Sequence, residues 1–235
     1  MEKENSKNIK SILIGIGVII LYLIIYSLSI DFLSIFGINY YELSNPIRQL
    51  YLTLYDLSFA LIIIYIYKKD FIPNFKDFKQ NFGKYIEKYI KYWLLALILM
   101  IISNSIITNF TTENVAQNQQ SIIDLIKIFP IYSIISIVLI APLTEELIFR
   151  LSIKKIFKNS DILFIIFSGI IFGSLHVITT LQNTSDLLFI IPYSIPGFIF
   201  AYCYTKSKNI FTTITLHSIH NTFMLIIQII ALIKR

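Results

Sequence analysis

Seven long apolar runs determine what this chain can fold into. They lie at about 11–30, 49–67, 92–109, 129–149, 161–180, 186–205 and 209–233. Most of them reach the roughly 20 residues with which an α-helix crosses the hydrocarbon core of a bilayer. They are continuous and lack the strict alternation that marks the strands of a membrane barrel. The pattern predicts an all-α, polytopic transmembrane helix bundle of about seven helices, with an eighth helix or a re-entrant segment as the alternative.

Composition excludes a water-soluble globule. Hydrophobic residues make up 56% of the 235 residues and charged residues only 14%, whereas an average soluble domain has roughly 25% charged residues. The single cysteine, Cys203, cannot form an internal disulfide. It lies in an apolar run, so we interpret it as a small core residue.

The basic residues alternate between the two sides of the predicted bundle. The N-terminus, the segment 68–91 and the turns after the fourth and sixth runs hold 16 of the 20 Lys and Arg residues. The opposite loops hold only Arg48 and Lys127. The positive-inside rule therefore predicts a cytoplasmic N-terminus. The net charge of +6 is then mainly a topology signal, and we expect no nucleic-acid partner.

The basic segment 68–91 interleaves lysines with Phe, Tyr and Ile. Such a pattern is typical of an amphipathic helix on the anionic inner leaflet of a membrane. Basic and aromatic residues together also occur in nucleic-acid interfaces, but a position between two membrane helices disfavours that interpretation. We expect a cytoplasmic surface helix here.

Ionisable and strongly polar residues inside the apolar runs are functional candidates, because such groups are costly within a membrane. Four groups stand out, and they are Thr144–Arg150 in the fourth run, Phe172–His176 in the fifth, His217–Asn221 in the seventh and a lone Asp56 in the second. Asp56 alone is typical of a polar contact between helices. The other three groups together suggest a site.

Helical geometry gives the two adjacent glutamates different surroundings. Glu145 and Glu146 point about 100° apart around a helix. Glu146 and Arg150 are four residues apart with the acid first, which is the favourable order for an ion pair. Glu145 is left without a partner on its own helix. An unpaired carboxylate in an apolar environment is suited to accept a proton as a general base.

The predicted hairpin places Glu145 and His176 at equal depth. If the fourth helix continues to about Phe157, a turn at residues 159–160 joins it to the fifth helix, and the two residues lie at similar distances from that turn. Small residues at Gly169 and Gly173 would let the fifth helix approach a neighbour closely. A carboxylate and an imidazole that meet in this way can hold and deprotonate a water molecule.

His217 and Asn221 share one face of the seventh helix, four residues apart. Their side chains offer two N–H donors, which suit the oxyanion of a tetrahedral intermediate in amide hydrolysis. His220 could share that face, and we expect it to pack or to act as a supporting donor.

These three groups resemble the motifs of the CPBP family of intramembrane proteases, which includes CAAX prenyl endopeptidases and bacterial Abi-type proteins. The family pattern is EExxxR, then FxxxH, then HxxxN, and the chain has all three in order at 145–150, 172–176 and 217–221. The resemblance covers roughly 125–233. It implies a division into N-terminal transmembrane helices with the basic segment (1–120) and a catalytic helical core (121–235). Leu151 departs from the glycine that often follows the motif arginine.

The resemblance implies a role for each motif residue. Glu145 and His176 would activate the attacking water, His217 and Asn221 would form the oxyanion hole, and Glu146 and Arg150 would support the site. We expect no cofactor as the first choice. The alternative is zinc bound by Glu145, His176 and His217, since carboxylate and imidazole groups are zinc ligands.

The expected function is that of an intramembrane endopeptidase that cleaves a membrane-associated protein or peptide. Its expected location is a bacterial plasma membrane, as a multi-pass protein in contact with lipid. The alternatives are a non-catalytic scaffold or bacteriocin self-immunity protein that keeps the protease fold, and an ion carrier. The carrier is disfavoured because the sequence has no paired broken-helix repeat.

Overall fold

Every regular element in the described part of the chain is a helix. A computed structural model describes residues 2–110 and 116–233, and neither range contains a strand. The α-helices of these ranges are α1 (Glu2–Ser27), α2 (Asn45–Ile66), α3 (Lys68–Thr108), α4 (Gln117–Ile128), α5 (Pro130–Ile156), α6 (Asp161–Ile178), α7 (Ile190–Ser207) and α8 (Ile210–Ile233). Short 3₁₀ helices lie in the connections at Asp31–Phe36, Tyr40–Glu42 and Thr184–Phe189.

Seven helices within residues 2–110 and 116–233 are long and apolar enough to cross a membrane. They are all the α-helices except α4, which has only 12 residues, and α7 counts together with the 3₁₀ helix before it. The mean hydropathy of the seven spans lies between 1.6 and 2.4. Many Leu, Ile and Phe side chains point away from the protein, as contact with lipid requires. The predicted all-α polytopic bundle with seven spans is confirmed.

The fourth and fifth spans form the hairpin that the sequence predicts. Helix α5 ends at Ile156 and α6 begins at Asp161. Ser160 caps α6, because its hydroxyl accepts a hydrogen bond from the backbone N–H of Leu163 at 3.2 Å. This side-chain acceptor satisfies one of the free donors at a helix N-terminus. The turn therefore sets the two helices antiparallel with the expected register.

Glycines bring α6 and α7 into close contact. A Cβ atom on Gly169 would overlap the ring of Phe198, and one on Gly173 would lie 2.6 Å from the backbone nitrogen of Ser194. Gly197 faces Gly169 from α7, since its own added Cβ would lie 2.9 Å from the Cα of Gly169. The predicted small-residue face is present, and its neighbour is α7. The backbones can therefore pack without intervening side chains.

The basic segment 68–91 is the first half of α3 and is continuous with the third span. The helix bends at Asn81, where φ is −117° and ψ is 20°. One face of this half contacts the bundle, where the rings of Phe71 and Phe211 lie 4.8 Å apart and Lys155 pairs with Asp70 at 3.2 Å. Contact of its other face with a lipid leaflet stays a prediction.

A polar network joins α3 to the beginning of α8. Asn209 is buried, and its amide donates to the Asp77 carboxylate at 2.7 Å and to the carbonyl of Asn74 at 2.9 Å. The Asn74 side chain in turn accepts from the N–H of Ile210 at 2.7 Å. The first residues of α8 are thus capped by a helix that is more than 130 residues earlier in the chain.

Replacement of Asn209 by alanine is expected to lower the free energy of unfolding by about 1–3 kcal/mol, because it removes two hydrogen bonds from a buried side chain to Asn74 and Asp77 of α3. The measurement is thermal unfolding of the purified protein in detergent. Asn159→Ala, in the exposed turn after α5, is the matched control and is expected to unfold like wild type. Equal stability of the two variants would contradict the role of the network.

Candidate active site

Helix α5 carries Glu145 and Glu146 on a short α-helical stretch between two π-helical segments. The π segments are Ser136–Ile140 and Leu147–Ser152, and the stretch between them is Ala141–Glu146. A π-helical turn shifts the backbone hydrogen bonds by one residue and is frequent at functional sites. At each π segment of α5, a backbone carbonyl accepts a hydrogen bond from a side chain of another helix.

The first free carbonyl belongs to Ile137. Its donor in an α-helix would be the N–H of Ala141, but that group donates to Ser136. The following residue, Pro142, has no N–H to offer. The amide nitrogen of Asn221 on α8 donates to the Ile137 oxygen instead, at 2.9 Å. The site residue Asn221 is therefore held in place by a local irregularity of α5.

The second carbonyl that binds a side chain of another helix belongs to Phe149. The N–H of Ile153 donates to Arg150 rather than to Phe149, and the hydroxyl of Ser168 on α6 donates to the Phe149 oxygen at 2.7 Å. Ser168 is fully buried and also accepts a hydrogen bond from Arg150. Ser168 is not predicted by the motifs, and its only signal in the sequence is a hydroxyl beside Gly169 in an apolar helix.

Glu146 and Arg150 form the predicted ion pair. The guanidinium of Arg150 donates to the two carboxylate oxygens of Glu146 at 2.8 and 3.0 Å, and both side chains are fully buried. The same carboxylate interacts with Nδ1 of His217 at 3.1 Å. Glu146 therefore joins α5 to α8, while Arg150 joins α5 to α6 through Ser168.

Glu145 faces two imidazoles instead of a cation. Its Oε2 atom lies 3.9 Å from Nε2 of His176 on α6 and 3.8 Å from Nε2 of His217 on α8. Oε2 is buried and has no hydrogen-bond partner among the described residues. The hairpin argument correctly predicts that Glu145 and His176 meet. The spaces of 3.8–3.9 Å between these atoms are longer than a direct hydrogen bond, as expected for groups bridged by a small molecule such as water.

Both imidazoles are oriented through their Nδ1 atoms. Nδ1 of His176 lies 2.8 Å from the carbonyl oxygen of Phe172, and Nδ1 of His217 lies 3.1 Å from the Glu146 carboxylate. These oxygens can only accept a hydrogen bond, so each Nδ1 carries the proton. In a neutral ring, Nε2 then has a lone pair directed toward Glu145. The two rings are therefore positioned to accept or shuttle a proton at the same place.

The residues of the site line a cavity of about 340 Å³ within the bundle. Glu145, His176, His217, His220 and Asn221 all contribute to its wall. The first and third helices, which carry no motif, contribute as well. Their lining residues are Tyr22, Leu23 and Tyr26 of α1 and Met100, Ile101, Asn104 and Ser105 of α3.

Two other polar residues, Asp56 and His220, make contacts of the kind that the sequence predicts. Asp56 of α2 accepts hydrogen bonds from Tyr132 at 2.7 Å and Ser136 at 3.0 Å on α5, which confirms a polar contact between helices. His220 packs against the ring of Phe200. Its Nδ1 atom is buried and has no hydrogen-bond partner in the described part of the chain.

The zinc alternative requires three donor atoms around one point. Zinc ligands about 2.0–2.2 Å from the metal are separated by roughly 3.4 Å in a tetrahedral site. Glu145 Oε2 lies farther than that from both Nε2 atoms, at 3.8 and 3.9 Å. Within residues 2–110 and 116–233, no group of three His, Cys, Asp or Glu side chains is arranged to hold a metal ion. The donor types suit zinc, and the two separations from Glu145 Oε2 are longer than those in a tetrahedral site.

Comparison with known proteins identifies the family of the chain. The model of the family described as Type II CAAX prenyl endopeptidase Rce1-like matches residues 127–223, a range that includes all three motifs. The putative membrane peptidase YdiL of Bacillus subtilis is 30% identical over 176 residues, which are 74% of this chain and 68% of that protein. The membrane-embedded CAAX protease MroQ of Staphylococcus aureus is 29% identical over 203 residues, which are 80% and 77% of the two chains. No solved structure matches the chain.

The described chain is a multi-pass helical bundle with a Glu, two His and an Asn around one cavity. The chain belongs to the CPBP family, the family of the CAAX prenyl endopeptidases. The resemblance that the three motifs predict is confirmed.

Replacement of Arg150 by methionine is expected to destabilise the protein by about 3–5 kcal/mol, because it leaves the Glu146 charge buried without a cation. Ser168→Ala is expected to cost less, about 1–2 kcal/mol, since Arg150 keeps Glu146. Thermal unfolding in detergent measures both effects. An Arg150→Met variant as stable as wild type would rule out the ion pair as the structural centre of the site.

Proposed function

We propose that this protein is an intramembrane endopeptidase that hydrolyses a peptide bond of a membrane-associated protein or peptide. The observation that carries the proposal is the position of one Glu145 oxygen between the Nε2 atoms of His176 and His217, in a cavity among membrane-spanning helices. The family and the names of the relatives support the same activity.

In the proposed reaction, a water molecule lies between Glu145 and His176. These groups take a proton from the water as its oxygen attacks the carbonyl carbon of the scissile peptide bond. A tetrahedral intermediate with a negatively charged oxygen forms. When the carbon–nitrogen bond breaks, the proton passes to the leaving amine, and a carboxylic acid and an amine are released.

Asn221 and His217 are the proposed donors to the oxyanion. One N–H of the Asn221 amide bonds to Ile137, which fixes the direction of the other. His217 donates through Nε2 only when its ring carries two protons. The Nδ1 atom of His217 lies 3.1 Å from the Glu146 carboxylate, which fixes the direction of the ring. Glu146 and Arg150 thus support the site by positioning His217 and balancing its charge.

Zinc enters neither of these steps, and we propose a reaction that needs no metal. Support comes from the separations of the donor atoms around Glu145, which are longer than a zinc site has. The glutamate-type assignment remains part of the proposal.

The enzyme is proposed to act as a multi-pass protein of a bacterial membrane with its N-terminus in the cytoplasm. The distribution of Lys and Arg supports this orientation, and the relatives YdiL and MroQ are bacterial. Its partners are the lipid bilayer and a protein or peptide substrate. The alternative is a scaffold or bacteriocin self-immunity protein. The complete set of motif residues around one cavity favours the enzyme.

Glu145→Gln and His176→Ala are each expected to lower the cleavage rate by a factor of about 10²–10⁴, because each removes a proton acceptor for the attacking water. Cleavage of a membrane-protein reporter in cells, at matched expression, measures the effect. Glu87→Gln makes the same chemical change at an exposed position of α3 and is the control. Full activity in both site variants would refute the protease assignment.

Removal of metal is expected to leave activity unchanged. The purified protein is dialysed against a zinc chelator, its zinc content is measured by mass spectrometry, and cleavage is assayed before and after. Loss of activity that is restored by one equivalent of zinc would overturn the metal-free mechanism. It would leave the assignment of a protease intact.

A further inference from the structure

One end of the bundle is marked by basic residues and is closed by polar contacts. Lys158, in the turn after α5, donates to Asn8 of α1 at 2.9 Å. Lys155 pairs with Asp70 of α3, and Asn209, in the turn before α8, donates to Asn74. We call this the basic end. The beginnings of α1, α3, α6 and α8 and the ends of α5 and α7 meet there.

The cavity does not extend to the basic end. Its deepest lining residues on α5 and α6 are Phe149 and Phe172, which are two turns of helix or more from the connection between those helices. On α7 and α8, the corresponding residues are Phe200 and His217, about two turns from the connection at 208–209. Packed aromatic rings of Phe149, Phe172 and Phe200 separate the site from that end.

The cavity continues to the other end of the bundle. It is lined there by residues at helix termini, namely Ser105 near the end of α3, Asn118 at the beginning of α4, Thr179 just after α6 and Gln228 in the second half of α8. Ser105 and Thr179 are exposed. We call this the open end. This side has only two basic residues within the described ranges, Arg48 at the beginning of α2 and Lys127 near the end of α4.

The positive-inside rule assigns the basic end to the cytoplasm and the open end to the outer side. We infer that the substrate reaches Glu145 from the outer side of the membrane. This inference rests on the proposed function and specifies its substrate class, which is a segment of an exported or membrane protein that is accessible from outside the cell. A polypeptide tail in the cytoplasm would meet the closed end of the bundle.

The wall of the route fits a polypeptide. Gln228 and His220 are buried, and the Oε1 atom of Gln228 and the Nδ1 atom of His220 have no hydrogen-bond partner among the described residues. Unpaired polar atoms in a membrane interior are costly. A substrate segment that unwinds for cleavage exposes backbone N–H and C=O groups, which also need hydrogen-bond partners. The two residues lie eight positions apart on α8, a rise of about 12 Å, which matches three to four residues of extended chain.

Cysteine labelling tests the side from which the site is reached, without need of a substrate. The native thiol is removed by Cys203→Ala, and single cysteines are introduced as Ser105→Cys at the open end and Met224→Cys in the cavity wall. Asn159→Cys, in the turn at the basic end, is the control. The probe is 2-(trimethylammonium)ethyl methanethiosulfonate, which does not cross membranes, applied to spheroplasts and to inside-out vesicles.

We expect the cysteines at 105 and 224 to react in spheroplasts and to lose this reaction in inside-out vesicles, with the reverse at 159. Reaction at 224 from the cytoplasmic side alone would overturn the inference, and so would reaction at 105 without reaction at 224 from either side. Expression and thermal unfolding of each variant confirm folding. If the labelling is as expected but Glu145→Gln keeps full activity, the proposed function is wrong. The conclusion that the cavity is reached from the outer side is then retained.

Discussion

The buried carboxylate of Glu146 holds the site together. Arg150 binds both of its oxygens, His217 binds one of them from α8, and Ser168 connects Arg150 to α6. Three membrane helices are thus joined through charged and polar groups in a region where water is scarce. A buried ion pair adds little stability by itself, since desolvation offsets the attraction. Its contribution here is specificity, because a shift of any one helix would leave a charge or a donor unpaired.

The adjacent Glu145 has no ion-pair partner on α5, because Arg150 binds Glu146 instead. Two neighbouring carboxylates on one helix point in different directions, and only one of them can reach Arg150 on the next turn. The chain therefore places a carboxylate that is paired with Arg150 directly after one that faces the cavity. π-helical segments lie on either side of the two glutamates. Their backbone carbonyls, those of Ile137 and Phe149, accept hydrogen bonds from Asn221 and Ser168.

Local patterns in the sequence predicted much of this arrangement. The apolar runs gave the spans, the four-residue spacing gave the Glu146–Arg150 pair, and equal distances from a turn brought Glu145 to His176. These are properties of one helix or one hairpin. Asn74, Ser168 and Asn209 were not predicted, because their roles depend on contacts between helices that are distant in sequence.

The pattern of backbone hydrogen bonds in α5 could not be predicted from the sequence either. Pro142 indicates a disturbed helix, but it does not reveal which carbonyl becomes free or that Asn221 will bind it. No motif in the sequence predicts that α1 and α3 line the cavity. This arrangement follows from how the helices pack around the hairpin of α5 and α6, which the periodicity of a single helix does not encode.

The order of the site residues along the chain has a consequence for membrane insertion. Glu146 and Arg150 lie on one helix, so they can neutralise each other as soon as that helix enters the membrane. His217 and Asn221 arrive later with α8, whose first residues are anchored by Asn74 and Asp77 of the earlier helix α3. The buried ion pair can therefore form before the arrangement around Glu145 is complete.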